Sequence, residues 1–392
     1  MAFFSRNMMA GVLLCGFVFF LPTGCEGSGH RPADEKAPYV VDTIITGLDH
    51  PWGMVFLPGN GNLALVTERP GRLNLVDIDM RERREITGLP EIAVTGQGGL
   101  LDVALHPEFE TNRLIYLSYS ASGDNRAQYA THVSRARLDA DGTVLTNMEL
   151  LLVAEPFTQA SAHFGSRLVF DDDHRLYITS GDRRNRHSAQ DLASLHGKTL
   201  RINDDGTIPQ DNPFTGMEDV HPAIFSYGHR NSQGMARHPE TRDIWQSEHG
   251  QSGGDEINIL VKGANFGWPI ATYGREYTTG RPIGVLPPEE DATVDPVYYW
   301  EPRGFPPAGI AFYQGDAFEQ WQGDLFVAGL REKHLVRFKV NGREIVMTER
   351  LLENRGWRIR DVRVNPADGF LYLLVDDSDA PLVRIMPRPE EK

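Results

Sequence analysis

Residues 166–182 run SRLVFDDDHRLYITSGD. A short apolar run, a turn of three aspartates and a histidine, and a second apolar run with alternating polarity make one strand–turn–strand unit. The same unit recurs along the chain. It stands at 52–77 (WGMVFLPGNGNLALVTERPGRLNLVD), 100–120 (LLDVALHPEFETNRLIYLSYS) and 232–250 (SQGMARHPETRDIWQSEHG). Two further copies lie at 309–340 (GIAFYQGDAFEQWQGDLFVAGLREKHLVRFKV) and 361–377 (DVRVNPADGFLYLLVDD). The copies follow at intervals of about 50 to 75 residues, the spacing of propeller blades with inserted loops. An irregular β-sandwich accounts for alternation but not for recurrence of one unit. The pattern predicts an all-β chain, with residues 39–392 forming a single six-bladed β-propeller catalytic domain. In that architecture the functional groups belong at strand ends and in the loops of one rim, around a central channel.

Ahead of this body lies a different kind of segment. Arg6 precedes the apolar run MMAGVLLCGFVFFL, which is followed by PTGC ending at Cys25. A positive start, a short apolar stretch and small residues before the cysteine predict a secretory signal over residues 1–25. They point to a lipoprotein signal in which Cys25 is lipidated and becomes the mature N-terminus. Export to the periplasm or cell envelope follows, with membrane contact only through that anchor. Residues 26–38 (EGSGHRPADEKAP) are polar and rich in Gly and Pro, as in a flexible tether. Both cysteines, Cys15 and Cys25, fall inside the signal, so the body has neither a disulfide nor a thiol ligand.

The net charge of −15 excludes a nucleic-acid partner, since phosphate binding needs concentrated basic surface. No dinucleotide fingerprint, phosphate-binding loop or nucleophile elbow is present. Several loops nevertheless carry functional residue types. His163 precedes a strand. His229, Arg230 and Asn231 stand together, and Gln97 lies between glycines. Arg358 and Arg360 alternate, so both face one side of a strand. Two like charges there need full solvation or an anion between them. Arginines gathered in an acidic chain suggest a small polyanionic ligand, because guanidinium forks match carboxylates and phosphates.

The ordered set GQGGLLDVALHP (96–107), HFGSRLVFD (163–171), GHRNSQGMA (228–236), EHGQSGGDEINIL (248–260), NFGWP (265–269) and WRIRDVRV (357–364) resembles the PQQ-dependent glucose/sorbosone dehydrogenase family. The resemblance spans about residues 40–387. It implies an exported six-bladed propeller that oxidises aldose sugars to lactones and passes electrons to an external acceptor. PQQ, a tricarboxylated quinone, would be the polyanion. On the matching positions, His163 is the general base and Arg230 stabilises negative charge on the quinone oxygen. Gln97, Asn231, His249, Arg331, Arg358, Arg360 and Asp376 match positions that contact PQQ or sugar. The family pattern places a catalytic Ca²⁺ on the carbonyls of Gly250 and Gln251, and a structural Ca²⁺ on Glu256 and the Phe266 carbonyl. The chain departs from that pattern in four places. Ala162 replaces an aspartate beside the catalytic histidine, which moves the expectation from narrow glucose specificity toward broader aldose oxidation. Gln251 replaces a proline where only the carbonyl is needed, Arg331 a lysine with the charge kept, and Arg303 a small hydroxyl residue, so contacts there do not carry over. Two other readings compete: a calcium-dependent propeller lactonase, and a non-catalytic propeller that binds carbohydrate or protein.

Overall fold

Each of the six repeats supplies the two inner strands of a four-stranded antiparallel sheet, the first and fifth copies running on into the third strand, and the sheets form a ring of six blades. The computed structural model describes residues 37–59 and 62–389. The predicted signal, Cys25 and most of the tether lie outside the described residues. Ala37 and Pro38, expected in the tether, already belong to the body, since their carbonyls accept hydrogen bonds from Arg388.

The inner strands are Pro51–Phe56, Leu100–Leu105, Leu168–Phe170, Ser232–Arg237, Pro307–Phe312 and Ile359–Val364. They are almost wholly buried, whereas outermost strands such as Glu344–Leu351 alternate exposed and half-buried residues. That gradient follows from geometry, because an inner strand has neighbouring blades on both faces while an outer strand meets water. The core is divided between the blades. One cluster fills the space between the first and second sheets, around Leu65, Leu75, Leu117 and Leu138. Equivalent clusters occupy the other five gaps.

Ring closure comes from the N-terminus. Strand Tyr39–Leu48 pairs antiparallel with Ala380–Pro387 and supplies the outermost strand of the last blade. The first strand of the body is thus bonded to the last, and the sheet edge it would expose is paired.

Five of the six inner strands carry a register shift near their first residues, between Pro51 and Met54, Leu100 and Val103, Ser232 and Gly234, Pro307 and Ile310, and Ile359 and Asp361. Such bulges re-aim a side chain. Here they fall at Gly53, Asp102, Gly234, Gly309 and Asp361, and the third blade, whose inner strand has no shift, contributes Arg167 just before it. The glycines leave room for the charged neighbours. A Cβ on Gly53 would lie 2.4 Å from Asp102 Oδ1, and one on Gly309 would lie 2.0 Å from Asp361 Oδ1. Arg167 Nη1 meets Asp102 Oδ1 at 3.0 Å and Asp361 Oδ1 at 3.3 Å, all three side chains fully buried. Arg363 adds a second cation, 3.2 Å from Asp361. This charged knot plugs the channel beneath the rim that carries the candidate site.

Candidate active site

Two cavities open on that rim. The first, of about 440 Å³, is lined by His163, Asp182, Arg184, Arg230, Trp268 and Tyr277, with Arg186, Gln251 and Glu276 at its side. The second, of about 250 Å³, lies over the axis and brings Gln97, His249, Arg331, Arg358, Arg360 and Asp376 together with Trp52, Arg69 and Gln233. A larger depression of about 850 Å³, bordered by Glu91, Asp124 and Phe157, lies away from both and holds none of this chemistry.

His163 sits in the loop entering the third blade, with a left-handed backbone (φ 56°). Its position is over-determined. Gln97 Oε1 accepts its backbone N–H at 2.9 Å. Its ring Nδ1 lies 2.7 Å from Asp182 Oδ1, and Trp268 Nε1 donates to the other Asp182 oxygen at 2.9 Å. An ionised carboxylate only accepts, so Nδ1 carries the proton and Nε2 keeps its lone pair. Burial is the main influence on this imidazole and lowers its pKa; Asp182 pulls it back up, and Arg230 and Arg184 push it down. The net result is a neutral base. Burial alone would raise Asp182, but His163, Arg230 and Trp268 hold it below the ordinary carboxylate range. From beneath, the buried Arg183 donates to the carbonyls of Ala160 and Ala162 and lies 3.4 Å over the Phe164 ring.

Arg230 reaches the same cavity from the start of the fourth blade. Its Nη1 donates to the carbonyls of His249 (3.1 Å) and Gly250 (2.6 Å), while its Nε is buried without a partner. Asn231, predicted as a cofactor contact, is buried and lines neither cavity; its Oδ1 accepts from Gly165 N at 3.2 Å and its Nδ2 faces His249 Nδ1 at 3.4 Å. His249 donates from Nε2 to Pro307 O at 2.8 Å, and burial lowers its pKa to about 3, so it too is neutral.

Arg358 and Arg360 do not wait for an external anion. Both turn to Asp376, at 3.4 Å and 2.6 Å, and His50 joins it at 2.9 Å. Burial would raise the Asp376 carboxyl, but Arg360, His50 and Arg358 outweigh it and keep the group well below its usual range. Of the two solutions that the arginine pair demanded, the fold uses an internal anion. The axial cavity still has four guanidiniums (Arg69, Arg331, Arg358, Arg360) against one carboxylate, and Arg360 Nε is buried without a partner. Cationic excess and an orphaned donor suit an anionic ligand such as PQQ.

The acids of the 248–260 segment stand apart from both cavities. Glu248 binds His229 Nδ1 at 2.8 Å. Asp255 Oδ1 accepts from Gly250 N at 2.9 Å, and burial raises its pKa to about 6. Glu256 is buried with Asn258 Nδ2 at 3.2 Å; burial, then Glu248, then Asp255 and Asp295 raise it well above the ordinary value. A buried carboxylate among carboxylates suits a hard cation. Phe266 stacks on His229 with 4.7 Å between ring centroids. The Gly250 turn admits no side chain, since a Cβ would lie 2.2 Å from Gly254 O. Its carbonyl oxygen is held by Arg230, and that of Gln251 accepts from Arg275 N at 2.7 Å. Each carbonyl has a second lone pair for a cation. Among the described residues no group of three or more His, Cys, Asp or Glu side chains could hold a metal. At the Gly250 turn the donors on offer to a cation are the two backbone oxygens.

The profile of the family described as glucose/sorbosone dehydrogenase matches residues 48–384. The chain belongs to the glucose/sorbosone dehydrogenase family. It is 41% identical over 377 residues to the aldose sugar dehydrogenase YliI of Escherichia coli (strain K12), covering 94% of this chain and 98% of that protein. The fold matches the apo-form crystal structure of the soluble aldose sugar dehydrogenase from Escherichia coli with a TM-score of 0.85, at 41% identity, over 89% of this chain and 100% of that one. It also matches the PQQ-bound aldose sugar dehydrogenase from Streptomyces coelicolor, with a TM-score of 0.73 at 28% identity, over 89% and 99% of the chains. Membership in a family of oxidoreductases sets aside the non-catalytic reading.

Sequence reasoning missed Asp182, Trp268, Arg183 and the Arg186–Glu276 pair (2.7 Å). One signal was available for the first: Gly181 precedes Asp182, and a Cβ there would lie 2.2 Å from the His163 carbonyl oxygen.

Proposed function

We propose that this protein oxidises aldose sugars to lactones with PQQ and Ca²⁺, and delivers the electrons to a separate acceptor. The observation that carries this reading is His163. It is a partly buried, neutral imidazole, oriented by Asp182, that lines one cavity while a cationic cavity lies on the same rim. Bound PQQ would supply a two-electron quinone acceptor for the hydride, with Ca²⁺ as Lewis acid. Arg331, Arg358, Arg360, Gln97 and His249 would hold the cofactor. Gly250 and Gln251 carbonyls would hold the catalytic ion, with Glu256 and the Phe266 carbonyl taking a structural one. The chain's own part is proton transfer and charge. His163 Nε2 takes the proton of the sugar C1 hydroxyl, and Asp182 stabilises the imidazolium that forms. Arg230, with one buried donor unused, offers positive charge where negative charge develops. The N-terminal signal supports placement in the periplasm or cell envelope, anchored through Cys25; mass spectrometry of the mature N-terminus tests that.

The decisive assay adds PQQ and Ca²⁺ to the apo-protein and follows dye reduction with glucose and other aldoses. Sugar-dependent reduction that needs PQQ and disappears in His163→Ala is the expected result. No reduction with any aldose would refute the reading.

A further inference from the structure

The catalytic cavity contains three arginines, and their situations differ. Arg186 is neutralised by Glu276, with both guanidinium nitrogens on its two oxygens (2.7 and 3.3 Å) and Gln251 Nε2 on the same carboxylate at 3.0 Å. Arg230 is spent on two carbonyls and on Tyr277 Oη at 3.4 Å. Asp182 is spent on His163 and Trp268. Arg184 is different. Its backbone N–H donates to Asp182 Oδ1 at 2.8 Å, yet its guanidinium has no hydrogen bond or ion pair among the described residues. It lines the cavity beside His163, near enough to press on the charge of that imidazole.

The backbone goes out of its way to put it there. Arg183 and Arg184 are consecutive left-handed residues, at φ 53° and 59°, a conformation that non-glycine residues adopt at a cost of about 1 kcal/mol or more each. The turn buries Arg183 under the loop of His163 and sends Arg184 out over the cavity. Strain of this kind collects at functional sites. A fork of five donors with no internal acceptor, at the wall of a sugar-sized cavity, is the arrangement that captures a carboxylate or phosphate.

We propose that Arg184 makes the catalytic cavity favour aldoses bearing an anionic group, a carboxylate or a phosphate, remote from the hydroxyl that is oxidised. This rests on the dehydrogenase reading and adds a binding contact to it. Arg184 moves no proton and no electron, and the lactone-forming step is unchanged.

The test uses the full chain loaded with PQQ and Ca²⁺, and compares dye reduction with glucose, glucuronate and glucose 6-phosphate. Arg184→Asn keeps a residue that tolerates the left-handed backbone but removes the charge; Arg184→Lys keeps the charge. The expected result is a fall of tenfold or more, in Arg184→Asn, in the ratio of kcat/KM for an anionic sugar to that for glucose. The fall should come mainly through KM, be partly restored in Arg184→Lys, and shrink with added salt. An effect confined to glucuronate identifies carboxylate as the group captured, and one confined to glucose 6-phosphate identifies phosphate. Oxidation of glucose without either anionic sugar, or a ratio within twofold of wild type in Arg184→Asn, overturns the inference. No turnover of any aldose, neutral or anionic, overturns the dehydrogenase reading and this inference with it.

Discussion

His163 and Asp182 meet at 2.7 Å between two loops that touch where Gly181 passes under the His163 carbonyl. The carboxylate serves three donors at once, His163 Nδ1 and the Arg184 backbone N–H on one oxygen and Trp268 Nε1 on the other. Asparagine has the same shape but accepts on one side only, so at least one donor then faces an N–H. Asp182→Asn should lower kcat about 10²-fold or more, with KM changed far less, as expected for a group acting through a general base. A kcat within threefold of wild type would show that Asp182 does not orient the base.

Burial keeps the His163 imidazole neutral below its ordinary pKa of 6.5. The base form is the active one, so activity persists as pH falls through 6.5 and is lost only at the lower folded value. Asp182 raises that value, so Asp182→Asn should move the acid limb of the kcat/KM profile to still lower pH. A limb that moves upward would contradict the assignment.

The axial plug makes a sharp stability prediction. Arg167→Met leaves Asp102 and Asp361 buried without their shared cation. Removing one partner of a buried pair costs about 3–5 kcal/mol. Urea unfolding should show a loss of that size, partly recovered when both aspartates are also changed to asparagine. A loss below about 1 kcal/mol would mean that Arg363 alone balances the two carboxylates.

In the axial cavity, Arg360→Leu should do two things. It lowers the melting temperature of the apo-protein, because the buried Asp376 loses its shortest ion pair, at 2.6 Å. It also shrinks the rise in melting temperature that PQQ produces in the wild type. An undiminished PQQ-induced rise would remove Arg360 from the cofactor site.

His196 predicts acid sensitivity of the body itself. Burial lowers its pKa to about 4, against 6.5 unfolded, so the unfolded chain binds the extra proton between those values. Stability is therefore complete above pH 6.5 and falls as the pH drops toward 4, by about 3 kcal/mol in all. His196→Gln should flatten the denaturant-unfolding profile across that window, and an unaltered slope would argue against the neutral buried ring.

The fold was legible because a propeller repeats itself. Each quoted unit supplied the inner and second strands of one blade, the strands whose apolar runs are longest. Outer strands such as Glu82–Ile86, with four exposed residues of five, carry no apolar signal and had to be inferred from the architecture. The closing strand Tyr39–Leu48 was invisible for another reason: its partner lies more than 300 residues away, and local pattern cannot show pairing at that range. At the site, the residues whose character is local stood out, notably His163 and the alternating Arg358 and Arg360. The partner of His163 did not, since Asp182 is an ordinary strand-end acid until the ring brings it in; Asp376 was marked only by resemblance, and its pairing with the two arginines was not visible. Of the two ways to accommodate two arginines on one face, the anion between them is in part supplied by the chain itself, through Asp376.

Pairing of the first strand with the last also sets an order of events in the life of the molecule. The sixth blade is incomplete until Ala380–Pro387 has been synthesised and has met Tyr39–Leu48. Gln97 and Asp376, which share the axial cavity, come from the second and the sixth blade, far apart in the sequence. The axial cavity is therefore assembled only when all six blades are in place, and a ligand bound there would join a ring already closed.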